Sequence, residues 1–397
     1  MLRRRVTPAR NCRRRPSCPR RSFCWLAVFA WAVLAEAPSG WAAASCNGLG
    51  FLSSDGVPGT WSAATSVSAD GSVVVGYDVG RGETGYRAFR WTAREGMQPL
   101  NLHQDGGIAF ESVASKISGD GQVIVGWMKD SKRGPLKAFR WTRETGMEDL
   151  GRLPAVNPVV DSVATGVSAD GAIIVGNNYE AFRWTRDGGL HALGAFLGDL
   201  RGSAAQSISA DGSTIVGESA NTEKHSEAFR WTAGDGMQGL GFLARQGVEP
   251  QSRAEAVSGD GAVVVGSSSN ADGQSEPFRW TRDKGMQPLG YIGRADSNGG
   301  VTRDPRPGFG GESSALAVSE DGKTVVGDSI GSDGEYQPFI WTEAEGMRSL
   351  GTIFGGGSLG EEIGYGGAHG VSANGSIVVG NAPTPTRAIE AFLCRVR

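Results

Sequence analysis

The chain has 397 residues, 39% hydrophobic and 20% charged, with 62 Gly, 17 Pro, 5 Cys and a formal net charge of −3. Such a balance excludes an intrinsically disordered chain and describes a turn-rich globular one. No basic cluster occurs beyond the N-terminus, which argues against a nucleic-acid or anionic-membrane partner.

The first element in chain order is a leader. Residues 1–22 carry nine arginines and no acid, and residues 23–35 form an apolar run. At thirteen residues the run is too short to span a membrane, and Ala42-Ala43-Ala44 supplies the small residues of a cleavage site. The sequence therefore predicts a signal peptide over 1–44, a single domain over 45–397, and export to the periplasm or cell surface. Arg20-Arg21 keeps the twin-arginine route open beside the general secretory one. A lipid anchor on Cys46 is disfavoured, because Ala43-Ala44-Ser45 lacks the expected leucine. Without its nine arginines and single acid, Glu36, the remainder holds 30 basic and 41 acidic residues, about −11.

Beyond the leader a repeat dominates. Its unit reads A-x-x-[VI]-S-x-[DN]-G, a β-branched run ending in Gly, a variable loop, [AP]-F-R-W-T, a short turn and G-M-x-x-L-G. The turn step falls at Asp70, Asp120, Asp170, Asp211, Asp260, Asp321 and Asn374, so seven copies follow one another. In the first copy a small-residue strand over 64–68 reverses at Asp70-Gly71 into a second over 72–76, since Asp-Gly is a tight-hairpin signal. The third strand runs over 88–92, and residues 93–96 turn it into a fourth over 97–100. Second strands such as Val73-Val74-Val75 do not alternate with polar residues, so both faces are expected to be buried.

Four-stranded units of about fifty residues with buried sheets predict an all-β fold, a seven-bladed β-propeller with the small first strand innermost. A linear solenoid is the rival. The seventh copy ends at Phe392-Leu393-Cys394 without a fourth strand, while Cys46-Asn47-Gly48-Leu49-Gly50 is an orphan copy of that strand. A ring closed by the N-terminal strand explains both. Cys46 stands where other copies have Met97 or Met147, and Cys394 where they have Trp91 or Trp141, so a disulfide Cys46–Cys394 is expected in an exported chain. A register slip of one residue would separate the two thiols.

These motifs, V-S-A-D-G-S-V-V-V-G followed by A-F-R-W-T and G-M-x-x-L-G, resemble the HAF-repeat family of extracellular bacterial proteins across residues 46–397. The likeness implies an exported repeat fold and no established reaction. The His expected before Ala-Phe is replaced by Arg87, Lys137, Glu180 and Glu227.

Residues that recur from copy to copy are read as structural: the Asp of the hairpins, the third-strand arginines Arg90, Arg140, Arg183, Arg230 and Arg279, whose replacement by Ile340 and Leu393 in the last two copies supports this, and Trp91 and its equivalents as core wedges. Loops after the second and fourth strands share one end of the ring and carry the variation, so function is expected there. On that face Tyr86, Trp127 and Tyr179 form a candidate aromatic platform. Lys116, Glu255 and His369 sit near the mouth of the central channel, and Arg294 and Arg303 lie in a long polar insertion. The four histidines lack metal-ligand spacing, no phosphate loop or nucleophile elbow occurs, and neither metal nor cofactor is expected. The sequence thus points to a non-catalytic binding or scaffold protein for a glycan or protein ligand. A hydrolase or lyase acting on extracellular polysaccharide is the alternative, resting on analogy of fold.

Overall fold

The computed structural model describes residues 45–52, 61–79, 85–100, 110–154, 160–196, 202–244, 247–292, 294–295, 301–302, 313–330, 336–351, 353–354, 366–386 and 388–396. These form seven four-stranded antiparallel blades and no helix. Blade 1 comprises Trp61–Val67, Val73–Val79, Arg87–Thr92 and Gly96–Pro99, hydrogen-bonded in that order. Blades 2 to 6 repeat this order. Blade 7 takes three strands from the end of the chain, Gly367–Val371, Ile377–Pro383 and Ile389–Arg395, and its fourth, Ser45–Gly48, from the beginning. The expected N-terminal closure is therefore present.

Hydrogen bonds also close the ring on the inside. At the Asp-Gly end, Ala69 N–H donates to Gly119 O (3.0 Å), Asp120 N–H to Ala169 O (3.2 Å) and Ala169 N–H to Ala210 O (3.0 Å). Gly259 N–H donates to Glu320 O (2.9 Å), and Ala373 N–H of blade 7 returns to Ala69 O of blade 1 (3.1 Å). A solenoid has no such return, so its two ends would stay apart.

Why these residues build blades follows from their alternation. Val74, Val75, Ile124 and Val125 are fully buried, as expected for strands covered on both faces. The deepest wedge, however, is the phenylalanine of A-F-R-W-T. Phe89, Phe139, Phe182, Phe229, Phe278, Phe339 and Phe392 are all inaccessible, whereas Trp91 and Trp141 are only half-buried at the margin of their clusters. The expectation that Trp91 is the core wedge is corrected: Phe89 lies nearer the middle of the third strand, while Trp91 pairs with Met97 on the short outer strand.

The hairpins are held as the Asp-Gly step requires. Ser68 Oγ donates to Asp70 Oδ1 (2.6 Å), Ser72 N–H donates to the same oxygen (2.9 Å), and Val73 N–H donates to Ser68 Oγ (3.0 Å). Gly71 takes φ +75°, which favours glycine. Asn374 makes the same bonds in blade 7, from Ser372 Oγ and Ser376 N–H, both at 3.0 Å. The third-strand arginines are likewise structural: Arg90 pairs with Glu95 (3.0 Å), which Arg143 of the next blade also reaches (3.3 Å), and Arg230 donates to Thr214 Oγ1 (3.0 Å).

Each inner strand contains a bulge, and this positions the site. Register shifts fall around Thr65, Ser115, Thr165, Gln206, Glu255, Leu316 and His369, one per blade. A bulge inserts an unpaired residue and re-aims its side chain. Opposite it, the glycine of the second strand is obligatory, because a Cβ on Gly76 would stand 1.9 Å from Ala63 O.

Candidate binding site in the central channel

The first strands line the axis. At the variable-loop end a cavity of about 660 Å³ opens among blades 4 to 7, with Glu218, Arg253, Glu255, Asp328, Tyr336 and His369 in its wall. At the Asp-Gly end a smaller one of about 110 Å³ takes residues from all seven blades, among them Val67, Ile117 and Val257. The inner strand of blade 5 runs from one to the other: Arg253 and Glu255 line the upper cavity, Val257 and Gly259 the lower.

The upper cavity is ionic, with the acids Glu218, Glu255 and Asp328 and the guanidinium of Arg253 in its wall. Arg253 Nε lies 3.0 Å from Glu255 Oε1 and 3.4 Å from Glu218 Oε1, close enough to offset both charges although its N–H is aligned on neither oxygen. Ser226 Oγ donates to Glu218 Oε2 (2.6 Å). Burial pushes the Glu255 carboxyl above the usual range, opposed by Arg253 and reinforced by the neighbouring Glu218 charge. Burial likewise holds the Lys116 ammonium below its ordinary value, with Glu255 acting against the shift. Lys116 keeps some accessible surface towards the bore although protein surrounds it. His369 Nε2 is 2.5 Å from Asn381 Oδ1; burial drives its imidazole towards the neutral form, and Lys116 adds to that.

Glu255 and His369, expected near the channel mouth, both line the upper cavity, and Lys116 acts electrostatically on each of them without itself being among the lining residues. Glu255 and His369 stand at bulge positions, and Lys116 immediately follows one. Other wall residues are committed to the fold. Ser252 Oγ receives Ala228 N–H (2.9 Å) and donates to Gly241 O (2.7 Å), and Ser268 Oγ receives Leu243 N–H (3.0 Å), so both tie one blade to the next.

The aromatic platform is partly assembled. Tyr86 stacks edge-on with Trp127 (centroids 5.9 Å apart), and Tyr77, which the sequence reading passed over, joins Tyr86 at 5.3 Å. Tyr179 makes no ring contact with them. It occupies the tip of a tight hairpin between the paired residues Asn178 and Glu180, at φ +70° and about half exposed. The backbone of Arg294 pairs with Thr302 in a two-residue ladder, and Arg303 lies outside the described residues.

Arg253, Glu218, Asp328 and Tyr77 were not singled out from sequence, yet a signal for three of them was present. The residue after the second-strand glycine is Tyr77, Trp127, Asn177, Glu218, Ser267, Asp328 or Asn381, a position that ranges from aromatic to acidic around the ring. It holds one register position throughout, opposite Ala63 for Tyr77, Ala204 for Glu218 and Ser314 for Asp328. That position is therefore aromatic in blades 1 and 2, acidic in blades 4 and 6 and a serine in blade 5. Among the described residues no group of three His, Cys, Asp or Glu side chains is arranged to hold a metal ion.

Solved structures of low sequence identity share the architecture. A puromycin hydrolase S511A mutant complexed with PGG superposes on 85% of this chain with TM-score 0.53 and 13% identity, the match covering 53% of that chain. TolB from Acinetobacter baumannii matches 87% of this chain and 88% of its own, with TM-score 0.45 and 14% identity. The β-propeller domain of the Trilobed protease from Pyrococcus furiosus matches 72% and 82%, with TM-score 0.45 and 12% identity. The fold is a β-propeller. At such identities the likeness extends to architecture alone, and no protein-family model and no curated protein matches the chain.

Proposed function

We propose that the chain is an exported, non-catalytic binding protein of the periplasm or cell surface, related to the HAF-repeat proteins, which receives a glycan or protein ligand on its variable-loop face. The observation that carries this reading is the cavity of about 660 Å³ on that face, a size usual for ligand sites, with several polar side chains converging in it. The Arg-rich, apolar leader supports export, and among the described residues no helix is long and apolar enough to cross a membrane. The test is thermal unfolding of the exported protein across a panel of oligosaccharides and peptides, beside Leu316→Trp, which places an indole in the cavity. A ligand that stabilises the wild type and not the variant is expected. Equal shifts in both proteins would remove the cavity from the reading.

One observation favours a second reading, a polysaccharide hydrolase. Glu218 and Glu255 approach the same Arg253 nitrogen, so the two carboxyls are near the separation of about 5 to 9.5 Å used by glycosidases, and Glu255 is biased towards its protonated, acid form. Against it, Arg253 and the Ser226 hydroxyl occupy Glu218, which reduces its power as nucleophile or base. Mass spectrometry of neutral oligosaccharides after prolonged incubation decides: cleavage that Glu255→Gln abolishes would replace the non-catalytic reading.

A further inference from the structure

We infer that the channel is a blind well that takes the chain end of a neutral glycan, with Arg253, Glu255 and Glu218 as its polar grip. This rests on the binding reading above and narrows it to one class of ligand and one mode of entry.

That the well is blind follows from the geometry of its floor. At the Asp-Gly end blades 1 and 2, 2 and 3, 3 and 4, 5 and 6, and 7 and 1 are joined by backbone hydrogen bonds of 2.9 to 3.2 Å, the last of them from Ala373 to Ala69. At a hydrogen-bonded spacing of about 4.8 Å a ring of seven backbones is only about 11 Å across. Val67, Ile117, Val167, Ile208, Val257 and their blade 6 and 7 equivalents line the cavity there, which has about one sixth of the upper volume. A polymer cannot thread such a floor. What enters from the variable face must present an end.

Neutrality follows from the pairing of charges. Glu218 and Glu255 share Arg253, which is thus already committed to two carboxylates, and Asp328 is a third acid in the same wall. An anionic ligand would meet these carboxyls, and a cationic one would have to compete with Arg253 for them, in a partly desolvated site where an uncompensated charge is costly. An uncharged ligand does neither, and the cluster offers it both donors and acceptors.

A glycan is favoured over a peptide by what the wall lacks. Leu316 is the one aliphatic side chain among the residues of the upper cavity, while Ser226, Ser267, Ser269 and Ser314 make it rich in hydroxyls. Peptide recognition draws on apolar pockets or a free sheet edge, and neither faces this cavity. Hydroxyl-rich ligands exchange water for just such donors and acceptors. The Tyr77, Tyr86 and Trp127 cluster at the equivalent position of blades 1 and 2 gives the emerging chain an aromatic surface to pack against.

The test is calorimetric titration of the exported protein with cellotriose, maltotriose, xylotriose, mannotriose and N-acetylchitotriose, beside trigalacturonic acid and tetra-alanine. At least one neutral trisaccharide is expected to bind one to one. Arg253→Lys and Glu255→Gln should each weaken it tenfold or more, and Leu316→Trp, which leaves the ion pairs in place, should abolish it. With the parent polymer the stoichiometry should stay at one protein per binding end, whatever the chain length. Preference for trigalacturonate or tetra-alanine with the same dependence on Arg253 would overturn the neutral-glycan assignment and leave the binding site standing. Several proteins per polymer chain would overturn the blind well. Absence of binding by every probe, with melting temperatures of the variants unchanged, would overturn both the inference and the reading beneath it.

Discussion

Cys46 faces Cys394 across the outer strand pair of blade 7, at the register position where Trp91 faces Met97 in blade 1, and the two sulfurs are bonded. Trp141 and Met147, Trp231 and Met237, Trp280 and Met286, and Trp341 and Met347 repeat the pairing. The closing blade thus replaces a packed pair by a covalent one where the N-terminal strand meets the last strand of the chain.

Reduction is therefore expected to act on the whole ring. A link across 348 residues contributes about 6 kcal/mol if its effect is on unfolded-chain entropy. Cys46→Ser with Cys394→Ser should lower stability by up to about that amount and broaden the unfolding transition, since blade 7 can then detach separately. Cys46→Met with Cys394→Trp should recover part of the loss by restoring the pair used elsewhere. Denaturant unfolding of the three proteins, with and without reductant, checks this. Equal stability of all three would show that the strand pairing alone holds the ring.

The second-strand glycines are expected to be intolerant. A Cβ on Gly217 would lie 1.9 Å from Ala204 O, a backbone atom that cannot swing aside. Gly217→Ala should cost about 3 kcal/mol or more, at the upper end of overpacking effects. Gly234→Ala is the control, since nothing lies within 4 Å of its added carbon and its φ is not positive. That change should be neutral or slightly stabilising through the unfolded chain. Equal melting temperatures for the two variants would contradict the close approach.

The hairpin carboxylates give the fold an acid limit. Ser68 and the Ser72 backbone hold Asp70 below its ordinary value, and Ser168 and Ser258 do so for Asp170 and Asp260. A carboxyl depressed in the folded state contributes stability above its unfolded value near 4, and loses it as pH falls through the folded value. Stability should hold to about pH 4 and decline below. Asp70→Asn keeps the bonds that Asn374 makes in blade 7, so it should be nearly neutral at pH 7 and lessen the acid loss. Asp70→Ala should cost about 1 kcal/mol. Chemical denaturation between pH 2.5 and 7 separates these outcomes.

Much of the fold was legible because each blade repeats the same signals. Asp-Gly gave the hairpin, unbroken Val and Ile gave the buried second strand, and the orphan strand at Cys46 gave the closure. Lys116, Glu255 and His369 were found as charges on otherwise small inner strands. The grip itself was not legible, because a bulge changes the face to which a residue points and nothing in A-x-x-V marks one. Arg253 and Glu255 stand two apart and would share a face on any regular strand; only the bulge at Glu255 and the next blade's geometry bring Glu218 to the same guanidinium. Tyr179 misled for a related reason: it sits at the tip of a hairpin one residue long, about half exposed, and makes no ring contact with Tyr86 or Trp127.

Arg253 is expected to decide how the well responds to pH. The groups facing Glu255 are Arg253, which lowers its pKa, Glu218, which raises it, and Lys116, which lowers it. Arg253→Ala removes the first-named of these charges and leaves two carboxyls together, so Glu255 should titrate higher still. A carboxyl raised in the folded state favours folding at low pH and loses that contribution as pH rises from its unfolded value, about 4.3, through the folded one. The deficit of the variant should therefore be largest above neutrality and shrink towards pH 5, the reverse of the Asp70 effect. Arg253→Ala with Glu218→Gln should remove most of the slope by taking away the repulsion. Unfolding free energies at pH 5 and pH 8 for the wild type, single and double variants measure it. A deficit independent of pH would mean that Arg253 contributes packing and no charge balance, and the assignment of a neutral ligand would lose its support.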